Sequence, residues 1–225
     1  MVQETKFSSK MRTAANLQFR SFLKRPFVTE LSLAKLPLSK FRYYIIQDNL
    51  FLEDATTARR LMLNKAPLRV RASLGHLLES MNRFELLNRR QAVSQRLGIS
   101  AATMRRTHRS PTTLTYTSFL IRTASTATVG ESLAAMMACP WTYSELGEKF
   151  ARSRAMRHPI YGPWLAIYQT EAMNSWLEEL KTIIDKVSVS VNPHIKRRMI
   201  HHFITACKLE CMFWDMAYRM EKWPY

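Results

Sequence analysis

The sequence predicts an all-α protein, a single-domain bundle of about seven to eight helices spanning residues 1–225. Three observations carry that expectation. Only five glycines stand among 225 residues, too few for the many tight turns of a β fold. Apolar residues recur at helical spacing over long stretches, separated by residues that cap or break helices. The one β-like patch, Val187-Ser-Val-Ser-Val191, is short. The length suits one domain, and 47% hydrophobic residues supply a sizeable core.

The elements follow in order. From Lys6 to Arg25 the chain carries basic and hydroxyl residues and no acid, in the manner of a weak organelle presequence. Its periodicity favours an amphipathic first helix instead. Leu36-Pro37-Leu38-Ser39 opens a long periodic helix from Lys40 to about Asn64, with proline suited to the start. Ala66-Pro67 breaks it, and a second long helix runs to about Leu97. Gly98-Ile99-Ser100 closes that helix and caps a short one. Ser110-Pro111-Thr112 starts the helix that holds Tyr116. Gly130 precedes a helix over roughly 131–152. His158-Pro159 starts another, reaching about Lys186, and Asn192-Pro193 begins the last, to about Glu221.

Composition excludes several classes of function. No apolar run reaches the ~18 residues needed to cross a bilayer, and the N-terminal stretch has no continuous apolar segment. A cytoplasmic protein without membrane partners is expected, with organelle import left open. Three cysteines, an odd number, argue against a disulfide framework. Cys207 and Cys211 are one helical turn apart, but no second Cys or His pair stands at zinc spacing, and His201 and His202 point to different helix faces. No metal site is expected. The net charge is +17. It is uneven: between Thr56 and Ser110 twelve Lys/Arg stand against Glu79 and Glu85. Such a field attracts polyanions without specificity. The arginines are not interleaved with aromatics as in a stacking platform, so no specific nucleic-acid partner is expected.

Two carboxylates break apolar stripes. Ile195, Met199, Phe203, Ala206, Glu210, Phe213 and Ala217 share one face of the last helix, with Glu210 in its middle. Phe41, Ile45, Asp48, Leu52 and Ala55 repeat the pattern in the first long helix around Asp48. Neither stripe contains Lys or Arg. A buried carboxylate costs several kcal/mol without a partner, so each is hydrogen-bonded, protonated or facing a cavity. A structural carboxylate and a site carboxylate are equally good accounts of either alone. A third element is Cys139-Pro-Trp-Thr-Tyr143, where Cys139 and Tyr143 are i and i+4, so the phenol can reach the sulfur. Met136, Cys139, Tyr143, Leu146 and Phe150 form one stripe. A buried cysteine alone is more often a small core residue than a nucleophile. Tyr116 and Tyr168 also lie in apolar stretches and fit a core role as readily.

Together these segments resemble the TenA/thiaminase II family. The matching stretches are Pro26-Phe27-Val28, Leu36-Pro37 through Phe41-Arg-Tyr-Tyr44, Gln47-Asp48, and Ser110-Pro111 through Tyr116-Thr-Ser118. Cys139-Pro-Trp-Thr-Tyr143 through Gly147-Glu148-Lys149 and His158-Pro159-Ile-Tyr161 through Trp164 and Tyr168 continue the series. Glu210-Cys-Met-Phe-Trp-Asp-Met-Ala-Tyr218 through Glu221 and Trp223 ends it, and is the most specific. The resemblance implies a heme-oxygenase-like helical fold without haem or other cofactor, assembled as a homotetramer. It implies hydrolysis at the methylene carbon on C5 of a small-molecule aminopyrimidine, releasing hydroxymethylpyrimidine for thiamine salvage.

By motif, the resemblance makes Cys139 the nucleophile, Glu210 the acid/base and Asp48 the carboxylate on the aminopyrimidine edge. Tyr116, Tyr143 and Tyr168 match pocket tyrosines, and Phe213 matches an aromatic that stacks on the ring. Arg25 departs from the family, which commonly has histidine there. Phe51 stands where many members have tyrosine, keeping the stacking surface and losing a hydroxyl. An aminopyrimidine presents an amino donor beside a ring-nitrogen acceptor, which a carboxyl group matches with two hydrogen bonds. Nearby carboxylates disfavour a free thiolate, so Cys139 is expected to give up its proton as it attacks, with Tyr143 orienting the sulfur. Two competing readings are a heme-oxygenase-like metal oxidase and a catalytically silent binding protein. Against the first, no histidine accompanies Asp48 or Glu210 at i+3 or i+4.

Overall fold

The structure is a computed structural model that describes residues 5–84 and 92–225. The N-terminal segment folds into three short helices, α1 (Phe7–Ala14), α2 (Asn16–Phe22) and α3 (Pro26–Ser32). Phe7, Met11, Phe19, Phe22 and Phe27 from these helices are buried, so residues 7–32 are built into the core. The first long helix, α4 (Leu38–Asn64), has 27 residues and extends about 40 Å. Then come α5 (Leu68–Phe84), α6 (Ala92–Arg96) and α7 (Ala101–Arg106). Gly98, at φ +62°, takes the left-handed position that ends a helix without a Cβ penalty.

The second half is α8 (Pro111–Thr126), α9 (Val129–Met136), α10 (Ala138–Phe150), α11 (Tyr161–Ala166), α12 (Glu171–Val189) and α13 (Pro193–Arg219). Short 3-10 turns lie at Arg154–Arg157 and Ile167–Gln169. Side-chain caps set the starts: Ser100, Ser110, Thr128, Thr170 and Asn192 each accept a first-turn N–H. Proline occupies the first turn of α3, α8 and α13.

The bundle centres on α4 and α13. α8 packs along α4, while α9, α10 and the N-terminal helices pack around α13. α1 and α5 lie against α12. At its C-terminus α13 ends on Met220, whose φ of +50° turns the chain back. The Glu221 carboxylate then accepts from the Thr112 N–H (2.8 Å) and the Thr112 hydroxyl (3.0 Å) at the start of α8. Trp223 Nε1 donates to the Arg109 carbonyl at 3.0 Å. The turn after α13 thereby clamps the first turn of α8.

The all-α expectation holds, with no strand among the described residues. The chain is divided into more segments than the seven or eight expected. The helix expected over 131–152 is two, meeting at Met137. Pro140 lacks an N–H and its ring crowds the preceding turn, so the ladder cannot run through Cys139-Pro140 unbroken. The helix expected from His158 to Lys186 is interrupted by a 3-10 turn before Thr170 caps α12. The β-like patch at Val187 is helical through Val189. The expected continuation of the second long helix through 85–91 lies outside the described residues. The basic stretch is partly spent on internal bonds: Arg59 is buried and donates to Asn82 Oδ1 (2.7 Å), and Arg109 forks onto Asp54 (2.6 and 2.8 Å).

Candidate active site

Four helices bring the polar residues of the apolar stripes around one narrow, closely lined cavity. Asp48 and Phe51 come from α4, Tyr116 from α8, Cys139 and Tyr143 from α10, and Glu210 and Phe213 from α13. Seven of the eight residues singled out from sequence therefore line one wall-to-wall space. The eighth, Tyr168, stands one ring behind the wall, its centroid 5.0 Å from that of Tyr143.

Each wall is held by its own local chemistry. Tyr44, Asp48 and Phe51 advance by four and three along α4, so they share a face. Between them Gln47 fixes α8. Its carbonyl oxygen accepts from the Ser110 N–H (3.0 Å) and the Thr113 hydroxyl (2.8 Å), and its amide donates to the His108 carbonyl (3.1 Å). That register sets Tyr116 against Phe51, ring centroids 4.8 Å apart. Phe213 closes on Phe51 at 5.7 Å. On α10 the break at Met137 puts Cys139 in the first turn. The Thr142 hydroxyl donates back to the Ala138 and Cys139 carbonyls, each at 2.9 Å, stabilising that turn. Farther along α10, a Cβ on Gly147 would lie 2.8 Å from Tyr168 Cβ and 2.9 Å from its carbonyl oxygen. Only glycine permits this approach, which seats the Tyr168 turn against α10.

Asp48, Tyr116, Tyr143, Glu210 and Phe213 are all buried, whereas Cys139 is partly exposed. Cys207 and Cys211 are buried behind the wall, and burial pushes both thiols up from their ordinary range. Glu210 Oε1 accepts from the Tyr116 hydroxyl at 2.8 Å. Burial, then the Glu210 charge, holds the Tyr116 phenol protonated far above its usual range. Burial likewise raises Tyr143, reinforced by Tyr44, Asp48, Glu210 and Cys139. The described lining contains no lysine or arginine. The site thus offers one partly exposed thiol, two buried carboxyl groups, two protonated phenols and two phenyl faces.

Sequence reasoning missed Tyr44 as part of this site. Its hydroxyl lies 2.9 Å from that of Tyr143. The signal was present, since Tyr44 precedes Asp48 by one turn on the same face. Arg25, the departure before Pro-Phe-Val, caps α3 away from the lining. Its guanidinium pairs with Asp215 (2.9 Å) and donates to the Ser21 hydroxyl (3.1 Å).

The chain is similar to proteins of known sequence and structure along nearly its whole length. An aminopyrimidine aminohydrolase of Halalkalibacterium halodurans is 31% identical over 202 residues, 89% of this chain and 90% of that protein. One from Bacillus subtilis is 28% identical, covering 97% of this chain and 92% of its own length. Among solved structures, the TenA homologue from P. horikoshii OT3 superposes with a TM-score of 0.86 at 27% identity, covering 96% of this chain and 99% of that one. Heme oxygenase-1 from Synechocystis, at 13% identity and a TM-score of 0.67, shares the fold. Residues 17–220 match the TENA/THI-4/PQQC family along nearly the whole chain, and the protein belongs to that family.

Proposed function

We propose that this protein is an aminopyrimidine hydrolase of thiamine salvage, cleaving the C–N bond at the methylene carbon on C5 of the ring. The observation that carries the reading is the convergence of Cys139, Glu210 and Asp48 on one cavity walled by Phe51, Phe213 and two phenols. The names of the relatives from H. halodurans and B. subtilis support it. A flat ring stacks between phenyl faces, and a carboxyl group pairs with its amino and ring-nitrogen edge. Asp48 takes that edge.

The residues then divide one hard substitution into two easier ones. The Cys139 sulfur adds to the ring carbon next to the ring nitrogen, and its proton passes to a pocket carboxylate. Glu210 protonates the nitrogen. The electron-rich adduct expels the amine from the methylene arm, water adds there, and the C–S bond breaks to restore the ring and the thiol. Tyr116 holds Glu210 in place, and Tyr143, one helical turn from Cys139, lines the same cavity and orients the sulfur.

Offering aminomethyl-pyrimidine, formylaminomethyl-pyrimidine and thiamine in parallel tests the reading. The sequence shows no dedicated thiazole-holding element, so remote binding energy from that ring is expected to be small and the amine to be the better substrate by kcat/KM. Absence of hydroxymethylpyrimidine from every substrate refutes the reading. A higher kcat/KM for thiamine refutes the substrate order. Assembly as a homotetramer belongs to the same proposal, with the +17 charge making it salt-dependent. Light scattering that finds only monomer from low to high salt overturns that part.

A further inference from the structure

We infer that Tyr44, which lies outside the cavity lining, is a positioning residue that fixes the Tyr143 proton toward the Cys139 sulfur and so helps the thiol become nucleophilic. The inference rests on the proposed role of Cys139, and its main test reads the thiol itself, independent of any substrate.

The argument starts from what stabilises negative charge on this sulfur. A cysteine in the first turn of a helix usually gains from the positive end of the helix dipole. Here that gain is small. α9 ends at Met137, a residue with φ −70° and ψ −19° that is also the N-cap of α10, so the last carbonyls of α9 stand directly before the first turn of α10. The negative end of α9 therefore abuts the positive end of α10 and largely cancels it. The described lining also supplies no cation. Two carboxyl groups, Asp48 and Glu210, face the same space and oppose a thiolate. The Tyr143 hydroxyl, one helical turn on and on the same face, lines the same cavity as the sulfur.

A phenol has one proton, so its direction decides what it does. The Tyr143 oxygen lies 2.9 Å from the Tyr44 oxygen, and in such a pair one hydroxyl donates to the other. The electrostatics choose the direction. The anionic or thiol groups that act on Tyr143 are Asp48, Glu210 and Cys139, all on the cavity side. They draw the Tyr143 proton into the cavity, which leaves its oxygen lone pair to accept from Tyr44. Tyr44 can hold that role because its ring has no freedom. It is fully buried, stacked on Trp214 at 4.9 Å and 15°, and packed edge-on against Trp164 at 5.6 Å and 83°. Phe41 and Phe27 close on it at 5.9 and 5.4 Å. This aromatic cage holds the ring in one orientation. It fixes the one atom that sets the Tyr143 hydroxyl.

Tyr44→Phe keeps the ring and removes the donor. The test follows iodoacetamide alkylation of Cys139 against pH, read by mass spectrometry at that residue in the folded full chain. The pH of half-maximal alkylation is expected to rise by about one unit, the scale of a hydrogen bond to the charged form. With an aminopyrimidine amine, kcat is expected to fall about tenfold with KM nearly unchanged, as for loss of a supporting hydrogen bond. In a Tyr143→Phe background the same change is expected to add nothing, because Tyr44 acts through Tyr143. An unchanged alkylation profile in Tyr44→Phe overturns the inference, whatever happens to turnover. An additive effect in the double variant overturns it as well. Should Tyr44→Phe not fold, Tyr143→Phe alone is expected to shift the profile by the same amount, and an unmoved profile there is equally fatal. If the profile shifts but the wild-type protein turns over no aminopyrimidine, the inference stands and the proposed function falls.

Discussion

Glu131 and Glu210 are buried to the same degree, 1% and 2% exposed, and do opposite things. Both touch α13, through residues about 18 Å apart along its axis. Glu131 sits in the first turn of α9, in a reciprocal capping box with Thr128. It pairs with Arg198 and has His202 Nε2 at 3.5 Å. Burial pushes its carboxyl up, but the Thr128 bonds and the Arg198 charge outweigh that and hold it below the ordinary range. Glu210 instead accepts from a phenol and opens onto a cavity with no cation in its described lining. Burial therefore does not mark a site. A carboxylate met by a cap and a cation has its chemistry used up by the fold. One met by a phenol at a cavity wall is not neutralised by a cation there, and the proposed acid/base role depends on that.

The comparison is broken most sharply at Glu210. Glu210→Gln keeps the shape and cannot deliver a proton, so turnover of an aminopyrimidine amine is expected to fall about 10²–10⁴-fold with little change in Tm. Cys139→Ser is expected to lose at least roughly 10²-fold, and the two losses should not add, because protonation matters only during attack by sulfur. Cys207→Ser and Cys211→Ser serve as controls that retain activity. A Glu210→Gln protein that unfolds easily yet turns over normally when folded would make Glu210 a second Glu131.

Glu131→Gln is the converse. It leaves the half-exposed Arg198 without this partner and weakens the capping box, so unfolding stability at pH 7 is expected to drop by about 1–2 kcal/mol, with kcat per folded molecule unchanged. The smallest effect appears in acid. The folded-state pKa of Glu131 is depressed, so its contribution is present above its unfolded value of about 4.3 and is lost as pH falls through the folded value. Urea unfolding of wild type and Glu131→Gln at neutral pH and near pH 3 should show the gap closing. A gap that persists in acid means that Glu131 contributes shape rather than charge.

Sequence reached Glu210 and Asp48 because each interrupts an apolar stripe free of Lys and Arg. Glu131 was equally readable as the last residue of Thr128-x-x-Glu131, a capping-box spacing. Its partners Arg198 and His202 lie on α13, far along the chain, and no local pattern announces them. Helix starts at Ser100, Ser110 and Asn192 were legible because a cap is a local bond. The junction at Met137 was not read, although Pro140 marked it, because the apolar period continues across the break. At Val187 the β-branched run misled. Val187 is packed against Gly130, where an added Cβ would meet its Cγ1 at 3.0 Å, so tertiary contact overrides propensity. Tyr44 escaped notice because its importance lies in a hydroxyl partner 99 residues away.

The turn after α13 has a consequence for how the protein is made. Chains grow from the N-terminus, at about 5–20 residues per second. The cavity walls therefore emerge in the order α4, α8, α10, α13. Cys139, on α10, comes third and Glu210, on α13, last. Glu221, which seals the first turn of α8, emerges after both. Throughout synthesis the apolar faces of α4, α9 and α10 await a helix not yet made, and a shortened chain would display them to solvent. No fragment that stops short of α13 contains both Phe51 and Phe213, so the cavity closes only when α13 joins the other walls.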